Sequence, residues 1–248
     1  MILIVYAHHE PASFNRTLLD VAVKTLQEAG HEVEVSDLYA MGFKAQADRE
    51  DFTTVRDPAR LKYAREQYYA MREDGFAPDI AAEIDKLRRC STLILQFPLW
   101  WFSMPAIMKG WVDRVFANGV AYGGSTAAFF ERGMFAGKRG MVSTTTGGPP
   151  VMYAPAGMCG DIDAALWPIN YGVLRFTGFD VLPAFVAHNV DAGDAAELQA
   201  QADEYAAILR RIDEIDPVFF HPWSDYGPDM MLREGVAART IGQASRPA

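Results

Sequence analysis

Three features of the sequence predict an α/β fold built on a doubly wound parallel sheet of five strands, with a C-terminal extension. Short apolar runs rich in β-branched residues alternate with longer stretches of helical period. Most of these runs are apolar throughout, as strands are when helices cover both faces of a sheet. The alternation stops near residue 215, and aromatic, Pro and Met residues then crowd together without a period.

The elements follow in order. Residues 2–7 are continuously apolar and read as a buried central strand. A polar loop, residues 8–15, leads into a helix in which Leu18, Leu19, Ala22, Val23 and Leu26 recur at helical spacing. Ser13 is placed to cap its start, and Gly30 to close its end. Residues 32–37 alternate as a second strand, and residues 40–60 form an irregular excursion whose charged run, 48–51, forms a solvated face. Two helices are expected over 60–72 and 79–89, and a third strand over 93–97. Pro98 ends that strand because it has no amide to give a ladder. A helix follows Pro105, a turn covers 121–125, and a fourth strand runs over 138–144. A helix over 161–175, a fifth strand over 179–187 and a last amphipathic helix over 195–215 complete the pattern. Residues 1–215 therefore form one domain, and residues 216–248 an arm that packs on that domain or on a partner.

Composition narrows the function. The chain has 248 residues, of which 50% are hydrophobic and 12% aromatic, enough for a large core with rings to spare for a pocket. A net charge of −9 excludes general binding to nucleic acid or anionic membrane, which needs clustered cations. Two cysteines without metal or disulfide spacing predict a reducing compartment, the cytoplasm. The N-terminal apolar run lacks a basic flank and is too short for a signal peptide, and no stretch has the length of a membrane span. Five scattered histidines match no metal or nucleophile–base pattern, so no metal is expected.

The chemistry concentrates at three strand ends, where open α/β sheets bind ligands. The first loop carries His8, Ser13, Phe14 and Asn15 at a helix start, where free amides favour an anion. It has no GxGxxG, so a dinucleotide turn of the Rossmann kind is not expected. The second is Pro98, Leu99, Trp100, Trp101 and Phe102, a run of flat apolar surface. The third is Thr145, Thr146, Gly147 and Gly148, a turn in which bare glycines allow close approach and N–H donation. Taken singly, each loop is an ordinary connection. Together they suit a flavin, with phosphates at the helix start, the ring on apolar faces and the pyrimidine edge on N–H donors.

The ordered residues also resemble a known family. Ala7, His8, Ser13, Phe14 and Asn15 are followed by Ser36, Asp37, Leu38, Tyr39, Ala40 and Met41. Gln96, Phe97, Pro98, Leu99, Trp101, Phe102, Pro105, Ala106, Ile107, Lys109, Gly110 and Trp111 come next. The series ends with Thr145, Thr146, Gly147, Gly148, Met152, Tyr153, Gly160, Asp161, Leu166, Trp167, Pro168 and Ile169. From the first strand to about the fifth, the chain resembles the NAD(P)H quinone reductases of the DT-diaphorase type, which have a flavodoxin-like fold. The resemblance implies a homodimer with FAD held near the subunit interface, and FMN as the second choice. It implies ping-pong transfer of hydride from NAD(P)H to flavin and then to a quinone. By position it assigns His8, Phe14 and Asn15 to the FAD phosphate and ribityl region. Pro98, Leu99, Trp100, Trp101 and Phe102, with Thr145, Thr146, Gly147 and Gly148, would hold the isoalloxazine. Tyr153, with Gly147 and Gly148, would stabilise charge at the pyrimidine edge during catalysis, and Tyr122, Met152 and Phe176 would line the substrate space.

The chain departs from that pattern at three places. Cys159 stands six residues after Tyr153, where relatives have His; Trp100 stands where Gln is usual; Gly124 replaces a second pocket Tyr. Two other functions fit the same resemblance: an azo- or nitro-compound reductase, and an ancillary regulatory subunit of a potassium-efflux system.

Overall fold

The computed structural model describes residues 1–123 and 129–243. Its sheet is parallel, with β1 (Ile2–Tyr6) between β2 (Val33–Asp37) and β3 (Thr92–Pro98), and β4 (Arg139–Thr145) beyond β3. The fifth position is held by two short strands, β5 (Asp180–Val181) and β6 (Phe185–Ala187), both paired with β4. This corrects the single strand expected over 179–187. Pro183 lies in the gap, and proline breaks a ladder by lacking a donor.

Alternate strand residues feed two cores. Leu3, Val5, Leu93, Leu95, Phe97 and Val142 point to one face. There they pack under α3 (Pro78–Arg89), α4 (Ala106–Val115) and α5 (Ile162–Ile169). Ile2, Ile4, Tyr6, Ile94 and Met141 point to the other, under α1 (Phe14–Glu28) and α6 (Ala195–Leu209). The α1 ends are as the residues dictate. Ser13 Oγ accepts the Arg16 amide at 3.2 Å. Gly30 sits at φ 90°, with the His31 amide returned to Leu26 in a Schellman closure.

Three further boundaries differ from expectation, each for a local reason. α2 (Tyr63–Glu73) begins three residues late because Asp57 Oδ1 accepts the Ala59 and Arg60 amides in a turn of its own. α5 stops at Ile169 and continues as a π-helical stretch, Asn170–Arg175; Pro168 has already removed a donor from its ladder. α6 ends at Leu209, and residues to Glu214 close in tighter turns that still bury Ile212.

The charged run at 48–51 is not wholly solvated. Asp51 is fully buried and takes Arg114 at 2.9 Å and the Tyr63 hydroxyl at 2.6 Å. Arg114 also meets Asp79 at 2.9 Å, so the excursion is pinned to α3 and α4 through paired charges. Breaking such a buried pair from one side costs about 3–5 kcal/mol. After α6 the chain returns across its own domain. Trp223 packs near Phe130 and gives its amide to Glu131, and Phe220 meets Trp167 and Tyr171. No helix among the described residues is long and apolar enough to cross a membrane.

Candidate active site

The parallel register sets the site. Pro98 pairs with Thr145 as the last residues of β3 and β4, so the loops that follow leave neighbouring strands at the same height. Behind them, Gln96 Nε2 donates to the Asn15 carbonyl at 2.8 Å, and Asn15 Nδ2 donates to Thr145 Oγ1 at 3.2 Å. Thr144 Oγ1 donates to the Phe97 carbonyl at 2.8 Å. The first turn of α1 and the ends of β3 and β4 are thus tied from within. Asn15 is only 2% exposed, and its side-chain amide is committed to this tie.

After Pro98 the chain makes a tight hairpin. Trp100 and Ser103 exchange backbone hydrogen bonds, both at 3.0 Å, around Trp101 and Phe102. Those two central residues have φ of 52° and 57°, the left-handed values of a type I′ turn that normally takes Asn or Gly. Two bulky aromatics held there are a strained arrangement of the kind found at functional loops. Trp101 is 96% exposed and Phe102 49%. Trp100 turns the other way, against His8 and His9, whose own rings stack at 5.0 Å. Burial and the neighbouring His9 push the His8 imidazole below its ordinary range, and its Nδ1 accepts the Glu10 amide.

The Gly turn is shaped by what lies against it. A Cβ on Gly147 would stand 2.5 Å from Asp191 Oδ2, and one on Gly148 would meet Met152 Sδ at 3.1 Å and the Tyr153 ring at 3.3 Å. Leu99 gives its amide to the Thr145 carbonyl, and Thr146 gives its own to Ala187. Among the described residues, the amides of Phe14, Asn15, Trp101, Phe102, Gly147 and Gly148 donate to no protein acceptor. The strand ends therefore offer a row of free N–H groups beside flat apolar surface. Such donors stabilise charge that develops on a ligand edge.

Tyr153 closes a short 3-10 turn, Pro150–Tyr153, that begins just after the glycines. Its ring lies 5.6 Å from His188, a residue the sequence reading passed over. His188 follows β6 directly, at the carboxyl edge where ligands bind, and that position was the available signal. Cys159 is half-buried and returns its amide to the Met152 carbonyl, closing the 152–159 loop. Tyr122 and Phe176 line a separate cavity of about 290 Å³ with Val112, Phe116 and Val173. Burial raises the Tyr122 phenol above its ordinary value. Met152 belongs to the Gly148 side, so one chain does not gather all three expected substrate residues. Gly124 lies outside the described residues. Among the described residues, no cluster of His, Cys, Asp and Glu suits a metal ion.

Comparison with known proteins agrees with this architecture. Residues 1–209 match the family model described as a flavodoxin-like fold. The chain is 44% identical over 226 residues to NAD(P)H dehydrogenase [quinone] 1 of Cavia porcellus, covering 90% of this chain and 80% of that protein. It is 39% identical over 222 residues to ribosyldihydronicotinamide dehydrogenase [quinone] of Mus musculus, covering 89% and 95%. A solved structure from Klebsiella pneumoniae described as a quinone reductase superposes with a TM-score of 0.91 at 40% identity, covering 99% and 97%. On this fold, this identity and this span, the chain belongs to the flavodoxin-like family of NAD(P)H quinone reductases.

Proposed function

We propose that the protein is a flavin-dependent oxidoreductase that moves hydride from NAD(P)H to a quinone in two alternating half-reactions. One observation carries the reading: unpaired amides of Trp101, Phe102, Gly147 and Gly148 flank exposed aromatic faces at the ends of adjacent strands. That combination fits an isoalloxazine, whose polar edge needs donors and whose faces need apolar cover. The free Phe14 and Asn15 amides at the α1 start fit the anionic tail of a flavin, which the family resemblance makes FAD before FMN. A bound flavin would supply the two-electron chemistry. The chain would bind and orient it, and would hold Tyr153 against the edge where negative charge gathers.

Tyr122 and Phe176 lie apart from Tyr153 and Met152 within one chain. This separation favours a two-fold homodimer in which the aromatic cavity of one protomer faces the glycine turn of the other. The free cysteines, Cys90 and Cys159, fit a reducing cytoplasm.

The test is flavin content and turnover of the purified protein. The reading expects about one flavin per chain and oxidation of NADH or NADPH that depends on a soluble quinone. A colourless protein, inactive after addition of FAD or FMN, would overturn it.

A further inference from the structure

The C-terminal arm closes another cavity, one that the candidate active site does not use. It measures about 350 Å³ and lies between α5, the link at residues 183–184 that joins β5 to β6, and the arm at residues 218–220 and 239–241. It shares no lining residue with the cavity of Tyr122 and Phe176. Its outer wall is held in place. His221 is only 3% exposed, and its Nε2 accepts the Arg239 amide at 3.1 Å, so Nδ1 carries the hydrogen and donates to Asp225 at 2.7 Å. Gln243 reaches the hydroxyls of Tyr171 and Tyr226. Gly242, at φ 81°, lets the backbone of the arm lie against the Trp167 indole, where a Cβ would stand 2.9 Å from the ring.

The walls carry three polar groups that no described residue answers. Asn170 opens the π-helical stretch after α5, and its Oδ1 is buried without a hydrogen-bond partner. A bare buried acceptor is unfavourable, and π-helical turns recur at functional sites. Arg239 lays its guanidinium over the Phe219 ring, 4.0 Å from the centroid, and makes no ion pair among the described residues. Such stacking occupies the face of the guanidinium and leaves its edge N–H groups free. Asp163, one turn before Trp167 on α5, makes no ion pair among them either. Both charged residues are exposed and stand at the mouth. Behind them Asn170, Trp167 and Phe220 are half-buried, with the two rings 5.9 Å apart.

We propose that this cavity binds a free aromatic amino acid whose ring carries a hydrogen-bond donor, of the tyrosine or tryptophan kind. The ring enters beside Trp167 and Phe220, and its O–H or N–H donates to Asn170 Oδ1. At the mouth the carboxylate takes the free edge of the Arg239 guanidinium, and the ammonium takes Asp163. The two opposite charges of one small head group match a guanidinium and a carboxylate that have no ionic partner of their own. A mostly apolar cavity of this size, with a few placed polar groups, suits a ligand of one or two fused rings. The site stands independently of the flavin reading above, and no bond is made or broken in it.

The test is a ligand-observed NMR titration of the full-length protein, as purified, with tyrosine, tryptophan, phenylalanine, tyramine and hydroxyphenylpropionate. Tyrosine and tryptophan should bind, and phenylalanine roughly tenfold more weakly, because it leaves Asn170 unanswered. Tyramine lacks the carboxylate and hydroxyphenylpropionate the ammonium, so each should lose about tenfold. Asn170→Leu should erase the preference for tyrosine over phenylalanine, and Arg239→Met the preference for tyrosine over tyramine. A ligand held in the cavity of Tyr122 and Phe176 instead would keep its preferences in these variants. Either variant that retains its preference would therefore overturn the proposal. Equal binding of tyrosine and phenylalanine by the wild type would overturn it too, as would no binding of tyrosine or tryptophan at millimolar concentration. Arg239 is exposed, so Arg239→Met keeps the test decisive even where Asn170→Leu fails to fold.

Discussion

Tyr153 is the residue on which the proposed chemistry turns, because its ring lies against both the glycine turn and the His188 imidazole. In the proposed reaction its hydroxyl is the donor matched to developing charge at the pyrimidine edge. Tyr153→Phe keeps the ring against Gly148 and should slow flavin reduction roughly tenfold or more in stopped-flow, the scale of one lost charge-directed donor. Cys159→Ser should leave that rate unchanged, since Cys159 only closes its loop through a backbone bond. An unchanged rate in Tyr153→Phe with flavin retained would remove the hydroxyl from the mechanism. The histidines make a second residue-scale prediction. Burial pushes both His8 and His188 below the ordinary value of 6.5. Between each folded pKa and 6.5 the unfolded chain binds more protons, so stability rises with pH across that window and is complete above it. The urea midpoint of flavin-free protein should fall as pH drops from about 7.5 to about 5, and His188→Asn should fall less. An equal fall would show that His188 carries no part of this linkage.

At the scale of elements, the hairpin after β3 shows what the sequence could and could not tell. Pro98 at a strand end and three aromatics after it marked the loop and its exposure. Nothing in the string Trp100-Trp101-Phe102-Ser103 signals a type I′ turn, because its residues are among the least suited to positive φ. The turn is imposed by the register of β3 on β4 and the bonds between Trp100 and Ser103. A left-handed non-glycine residue costs about 1–2 kcal/mol, while glycine costs about 0.5–1 kcal/mol of extra chain entropy. Trp101→Gly, which removes almost no packing, should therefore stabilise the flavin-free protein by about 0.5–1 kcal/mol in urea unfolding. It should also weaken flavin retention. A destabilised variant would show that the strain is not there. His188 was missed for a related reason: one histidine among five has no spacing rule, and only the placing of β6 beside β4 brings it to Thr146 and Tyr153. The split of the fifth strand and the π-helical end of α5 followed from Pro183 and Pro168, which periodicity alone overlooks.

At the scale of the molecule, the order of strands and helices was legible because buried parallel strands must be apolar throughout, and the two cores confirm why. The buried ion pairs of Asp51 were not legible, because a charged run on its own reads as a solvated face. Tyr122 and Phe176 stand in a cavity of their own, with Val112, Phe116 and Val173. A two-fold dimer that brings that cavity to the glycine turn should give twice the 27.5 kDa chain mass in light scattering at low micromolar concentration. A monomer that binds flavin and turns over would refute the shared site.

The central claim is that the strand-end donors and aromatic faces hold a flavin that cycles between NAD(P)H and a quinone. Anaerobic mixing of the purified protein with NADH or NADPH tests it most directly, by following visible absorbance before and after a soluble quinone is added. The predicted result is a flavin spectrum that bleaches in a single turnover with the pyridine nucleotide and returns on adding the quinone. A bound flavin that neither nucleotide reduces, or a reduced one that the quinone fails to reoxidise, would contradict it.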